Sequence, residues 1–150
     1  MSEIRIPLQT DRRLLKPIQE YGCLFLSYLR VTSIVQWHEW TPYQINLAYW
    51  AAVHNKWIQD NCRVIQPDRI LESLGVQLDG WVRHENPDYR PQSREIQIEQ
   101  WHNTRTDHTH FILGEPYRWD SLGDSVTVQE GSIQRKIIIR LDRSVKGIGG

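Results

Sequence analysis

Two cysteines, six histidines and eighteen acidic residues supply the reactive side chains of this 150-residue chain. Cys23 follows Gly22 at the head of an apolar run, Tyr21-Gly22-Cys23-Leu24-Phe25-Leu26-Ser27-Tyr28-Leu29. His110 heads a later apolar stretch, His110-Phe111-Ile112-Leu113-Gly114, and Asp120 follows ten residues on. A cysteine attacks as the thiolate, so its proton must leave near neutral pH. The first turn of a helix favours that loss, because free N–H groups and the helix dipole stabilise a negative sulfur. The same N–H groups receive the oxyanion of a tetrahedral intermediate. A histidine aimed at that helix start takes the thiol proton, provided a partner at its other ring nitrogen fixes the tautomer. Taken singly, the three residues have ordinary roles: a buried thiol, a strand-end histidine, a turn aspartate. Taken together, they read as nucleophile Cys23, general base His110 and orienting carboxylate Asp120, with Asp124 as the alternative orienter.

Metal binding is the rival chemistry. Asp107-His108-Thr109-His110 contains His-x-His, and residues two apart on a strand face the same side. Zinc would need further ligands from His102, Asp120 or Cys23, and no second paired motif is present. A third class is a binding module without catalysis. Trp81, Trp101 and Trp119, with Tyr89 and Tyr117, lie in the loop-rich second half and are expected to wall a groove for a peptide or glycan.

The elements that must position these groups follow from pattern. The run from about Ile18 to Gln36 is apolar on most sides, which predicts a buried central helix carrying Cys23 near its start. Gly22 is expected to allow a sharp turn before it. Thr41 and Pro42 suit the N-cap and first position of a second helix, with Tyr43, Leu47, Trp50, Ala51 and His54 at helical spacing. A short third helix from Pro67 or Asp68 to Leu74 is stopped by Gly75. Asp79 to Ser93 reads as a loop. Strands are expected at Arg94 to Trp101 and Thr109 to Gly114, and a hairpin from Ser125–Val128 to Ser132–Leu141 around Glu130-Gly131. Helices first and an antiparallel sheet second make an α+β chain. One domain is expected, helical over 1–78 and β over 94–142, with 143–150 as a flexible tail.

Composition narrows the function classes. Eighteen basic residues balance eighteen acidic ones, and arginines such as Arg12-Arg13 and Arg135-Lys136 never run beyond pairs, which argues against nucleic acid. No apolar stretch reaches the length of a transmembrane helix, and Met1–Pro7 lacks the apolar region of a signal peptide. A cytoplasmic, reducing setting is expected, with release by lysis if the chain is phage-encoded. Cys23 and Cys62 allow one disulfide at most, so this is not a disulfide scaffold.

Tyr21-Gly22-Cys23, then Thr109-His110-Phe111, then Trp119-Asp120-Ser121-Leu122-Gly123-Asp124-Ser125-Val126-Thr127-Val128 resembles the papain-like cysteine peptidase superfamily. The similarity is greatest to its small bacterial and phage members, including the bacteriocin-leader-processing type. Arg69 to Val76 resembles the helix between Cys and His in those members. The resemblance implies a papain-like fold, a helical half packed on an antiparallel sheet with the cleft between. It implies a thiol protease or amidase with Cys23, His110 and Asp120 as its triad, needing no cofactor and acting on a peptide or peptidoglycan. Members carry a Gln several residues before the Cys as oxyanion donor; Gln19 is the candidate, although it stands only four residues upstream.

Overall fold

The computed structural model describes residues 4–146. Its architecture is α+β: five helices and one four-stranded antiparallel sheet. The helices are α1 (Lys16–Tyr21), α2 (Cys23–Gln36), α3 (Pro42–His54), α4 (Pro67–Ser73) and α5 (Val126–Glu130). The strands are β1 (Arg83–Glu85), β2 (Glu95–Asn103), β3 (His108–Leu113) and β4 (Ser132–Arg140), in the order β1-β4-β2-β3.

The apolar run expected as one helix from Ile18 is two helices, broken at Gly22. The break has a steric cause. A Cβ on Gly22 would lie 2.4 Å from the Ile18 carbonyl oxygen and 2.8 Å from its Cγ2, so only glycine fits against α1. Its φ of −85° is ordinary, and the expected need for turn freedom is replaced by a need for close approach. Gly22 N–H bonds the Ile18 carbonyl at 2.8 Å, ending α1, and Leu26 N–H bonds the Gly22 carbonyl at 2.8 Å, opening α2.

Helix α2 separates two apolar clusters, which is why it is buried nearly all round. Phe25, Leu26 and Leu29 pack with Ile18, Trp40, Ile45 and Tyr49 in the helical half. Tyr28 and Val31 pack with Ile96, Ile98, Leu113, Ile137 and Ile139 of the sheet. Cross-strand register places Ile98 opposite both Leu113 and Ile137, so these residues share one face of the sheet.

Thr41 caps α3 as its sequence predicts. Its hydroxyl accepts from Gln44 N–H, and Gln44 returns the bond to Thr41 N–H, a full capping box. The face of α3 is the reverse of the expected one. Tyr43, Leu47 and Trp50 are exposed at 71%, 50% and 54%, whereas Ile45, Tyr49 and Ala52 are buried. Helix α4 ends a residue earlier than expected, and Gly75 follows with φ of +88°.

Two further expectations fail in the second half. The segment 79–93 is not all loop, because it contains β1 on the outer edge of the sheet. The buried Glu95 carboxylate pins this region, accepting from Tyr89 Oη at 2.6 Å, Gln92 N–H at 2.8 Å and Arg83 at 2.8 Å. The hairpin around Glu130-Gly131 does not exist. Residues from Val126 form α5, and β4 pairs instead with β2 and β1. The expected flexible tail falls partly on residues 147–150, which lie outside the described residues. Among the described residues no helix is long and apolar enough to cross a membrane.

Candidate active site

Cys23 is the first residue of α2, and its side chain is half-buried. At a helix start the first N–H groups have no intrahelical acceptor, so those of Cys23, Leu24 and Phe25 are available around the sulfur. Cys23 and Cys62 are both free thiols. Burial pushes the Cys62 thiol up to about 12, which makes it a poor nucleophile.

His110 sits on β3, the other edge strand of the sheet. The chain after β3 turns at Gly114–Tyr117 and folds back: Leu113 and Trp119 exchange two backbone hydrogen bonds at 2.9 and 3.1 Å. That return pairs with β3 at Leu113 and delivers Asp120 beside His110. Gly114 permits it, because a Cβ there would lie 2.9 Å from atoms of the Gln97 and Glu99 side chains.

His110 Nε2 and Asp120 Oδ1 are 2.7 Å apart, and both side chains are buried. Burial alone would lower the imidazole pKa. The Asp120 hydrogen bond, then the hydrogen-bonding and charge of Cys23, then the Asp120 charge, overcome it and raise His110 from 6.5 to about 9. Since Nε2 is taken by Asp120, Nδ1 is the ring nitrogen left for the sulfur. Asp120 is itself held. Its Oδ1 accepts Leu122 N–H at 2.9 Å, and its Oδ2 accepts Ser125 Oγ–H at 2.7 Å and Ser125 N–H at 3.2 Å. Burial raises its pKa, but the His110 bond first, then the Leu122 and Ser125 bonds, hold it well below the usual carboxylate range.

The residues singled out in the sequence therefore divide. Cys23, His110 and Asp120 come together. Asp124 is exposed and makes no bond to His110, so of the two aspartates it is Asp120 that bonds the imidazole. Trp101 is the register partner of His110 on β2, so the two side chains are neighbours on one face; its indole N–H donates to Glu99 at 3.0 Å. Trp119 precedes Asp120, lies under the Arg30 guanidinium at 6.0 Å, and borders a cavity of about 590 Å³. Trp81 does not join them. It precedes β1, at the opposite edge of the sheet from β3, and is 79% exposed. Gln19 turns its amide to the Leu14 carbonyl at 2.6 Å, which commits one of its two N–H donors away from Cys23.

The His-x-His pair does not make a metal centre. His108 and His110 share a strand face, but His108 is exposed while His110 is engaged with Asp120. His102 pairs with Thr109 and so lies on the other face. Among the described residues no group of three or more His, Cys, Asp or Glu side chains is arranged to hold a metal ion.

Residues 5–141 match a family described as a protein of unknown function, DUF261. The chain belongs to this family. No curated protein and no solved structure matches it. The matched span includes Gln19, Cys23, His110, Asp120 and Ser125.

Ser125 is the site residue that sequence reasoning missed. A signal for it exists: Asp120-Ser121-Leu122 has the makings of an Asx turn, in which an aspartate bonds the backbone two residues on. An aspartate so anchored, with a hydroxyl residue soon after, is held in place by local bonds.

Proposed function

We propose that this chain is a cysteine-dependent hydrolase of amide or peptide bonds, built on a papain-like plan. The observation that carries the reading is the buried His110–Asp120 pair at 2.7 Å, with Cys23 at the head of α2 near enough to contribute to the raised imidazole pKa. The resemblance of the Cys, His and Asp segments to papain-like peptidases supports the same reading from sequence.

The chemistry follows from these groups. With its pKa near 9, His110 is an imidazolium at neutral pH and holds the proton that the leaving group will need. The sulfur attacks the substrate carbonyl, and the Cys23 N–H at the start of α2 receives the oxyanion. His110 then gives its proton to the leaving amine. Acylation removes the sulfur's charge and with it one of the influences that hold the imidazole pKa up. His110, having given its proton to the leaving amine, then stays neutral more readily and is free to take a proton from water for thioester hydrolysis. Asp120 keeps Nε2 occupied and Nδ1 aimed at the reaction throughout.

The substrate class we propose is a peptide, with the cross-linking peptides of bacterial cell wall as the first to test. Incubation with purified walls should release new amino groups, and Cys23→Ala should abolish the release while the fold, followed by circular dichroism, is retained. Turnover unchanged in Cys23→Ala would end the nucleophile assignment. Walls of every type left intact by the parent protein would remove them as substrate.

A further inference from the structure

We propose that Gln9 is a positioning residue for this site, a clamp that ties the Asp120 loop to the helical turn leading into Cys23. The proposal rests on the reading of Cys23, His110 and Asp120 as one catalytic unit.

Gln9 is out of character with its surroundings. Leu8 is 42% exposed and Thr10 is exposed, yet Gln9 between them is 4% exposed. A buried amide needs partners, and Gln9 has three bonds to two segments. Its backbone N–H donates to the Ser121 carbonyl at 2.8 Å, and its Oε1 accepts from Ser121 Oγ at 2.7 Å. Its Nε2 donates to the Gln19 carbonyl at 3.1 Å. Ser121 is fully buried and follows Asp120 directly; Gln19 is in α1, four residues before Cys23. One side chain thus joins the orienting carboxylate's loop to the nucleophile's approach.

The chemistry of the contact selects glutamine. One end must accept from a hydroxyl while the other donates to a carbonyl, and a primary amide does both. Glutamate would set a carboxylate oxygen against the Gln19 carbonyl, and leucine would leave the Ser121 hydroxyl and the Gln19 carbonyl without this partner. Without the side-chain clamp, the backbone bond from Gln9 to Ser121 remains but the direct tie between α1 and the 120–125 loop is lost, and a 2.7 Å His110–Asp120 contact has little tolerance for drift.

The test uses the full chain and reads His110 itself. The imidazole Cε1–H of His110 is titrated by NMR in the parent, Gln9→Leu and Ser121→Ala, with Cys23 alkylation by iodoacetamide followed over the same pH range. The clamp predicts that the His110 midpoint falls in Gln9→Leu by about one pH unit or more, a tenfold weaker hold on the proton. It predicts a smaller fall in Ser121→Ala, which deletes one bond of the three. A purely structural glutamine would lower the melting temperature and leave the His110 midpoint where it was, and that result overturns the proposal. If Gln9→Leu does not fold, Ser121→Ala decides on the same criterion. Failure of the underlying reading has a separate signature: Cys23 alkylation in the otherwise native protein would then be insensitive to His110→Ala.

Discussion

Replacing Asp120 by Asn removes one negative charge and leaves the shape. Asp120 has four bonds, to His110 Nε2, Leu122 N–H and both Ser125 donors. An asparagine keeps its single carbonyl oxygen toward His110 and Leu122 and turns its NH₂ toward Ser125. The Ser125 hydroxyl can rotate to accept, and only Ser125 N–H loses its acceptor. The fold should survive while the charge that holds the imidazolium is gone. His110 stands at about 9 against an ordinary 6.5, in spite of burial that acts in the other direction. That rise corresponds to about 3 kcal/mol of preferential proton binding in the folded state. An opposite charge in contact typically moves a pKa by about one to three pH units, so the Asp120→Asn midpoint should fall below about 8. Titration of the His110 Cε1–H resonance measures it directly. The same interaction governs stability against pH. His110 is raised above its unfolded value, so its contribution is complete below about pH 6.5 and is lost as pH climbs through about 9. Asp120 is lowered, so its share is present above its ordinary 3.8 and is lost as pH falls further below. The imidazolium–carboxylate attraction is one interaction and counts once. Urea midpoints should therefore be highest between about pH 4 and 6.5, should drop toward pH 9.5, and should drop less in Asp120→Asn. A native-like Asp120→Asn protein whose His110 titrates as the parent does would refute this account of the site.

Two other changes test how the site is placed. Gly22→Ala forces a Cβ to within 2.4 Å of the Ile18 carbonyl, so α1 and α2 must separate. It should cost about 1–3 kcal/mol in urea titration and slow Cys23 alkylation, while Cys62 stays unreactive. In α3, polar replacements of exposed Tyr43, Leu47 and Trp50 should each change stability by less than about 0.5 kcal/mol. Ile45→Ala, at a buried position, should cost about 2–5 kcal/mol. Larger losses at Tyr43, Leu47 and Trp50 than at Ile45 would mean that the helix faces the other way.

The three side chains on which the proposal rests each carry a local signal in the sequence. A thiol after glycine opens an apolar helix, a histidine heads an apolar strand, and an aspartate sits in a turn-rich segment. The central position of α2 was legible too, since a helix apolar on nearly every side must be buried. What escaped depends on distant contacts. α3 has apolar residues on two faces and no Asp, Glu, Lys or Arg, so periodicity had little to choose between them. Ser125-Val126-Thr127-Val128 has β-branched residues and read as a strand. The chain makes it the start of α5, with Thr127 and Val128 buried, and Gly131 packed so closely against the Thr127 and His102 carbonyls that a Cβ would lie 2.2 and 2.5 Å from them. β1 is three residues long, too short for alternation to register. Gln9 reaches Ser121 across 112 residues, a separation that no local pattern reports.

The most direct test of the central claim is the rate of Cys23 alkylation by iodoacetamide against pH, resolved from Cys62 by peptide mass mapping, in the parent protein and in His110→Ala. A working Cys23–His110 pair predicts rapid alkylation of Cys23 below pH 7, loss of that reactivity in His110→Ala, and an inert Cys62. A Cys23 whose profile is the same with and without the imidazole would contradict the pair, and with it the hydrolase.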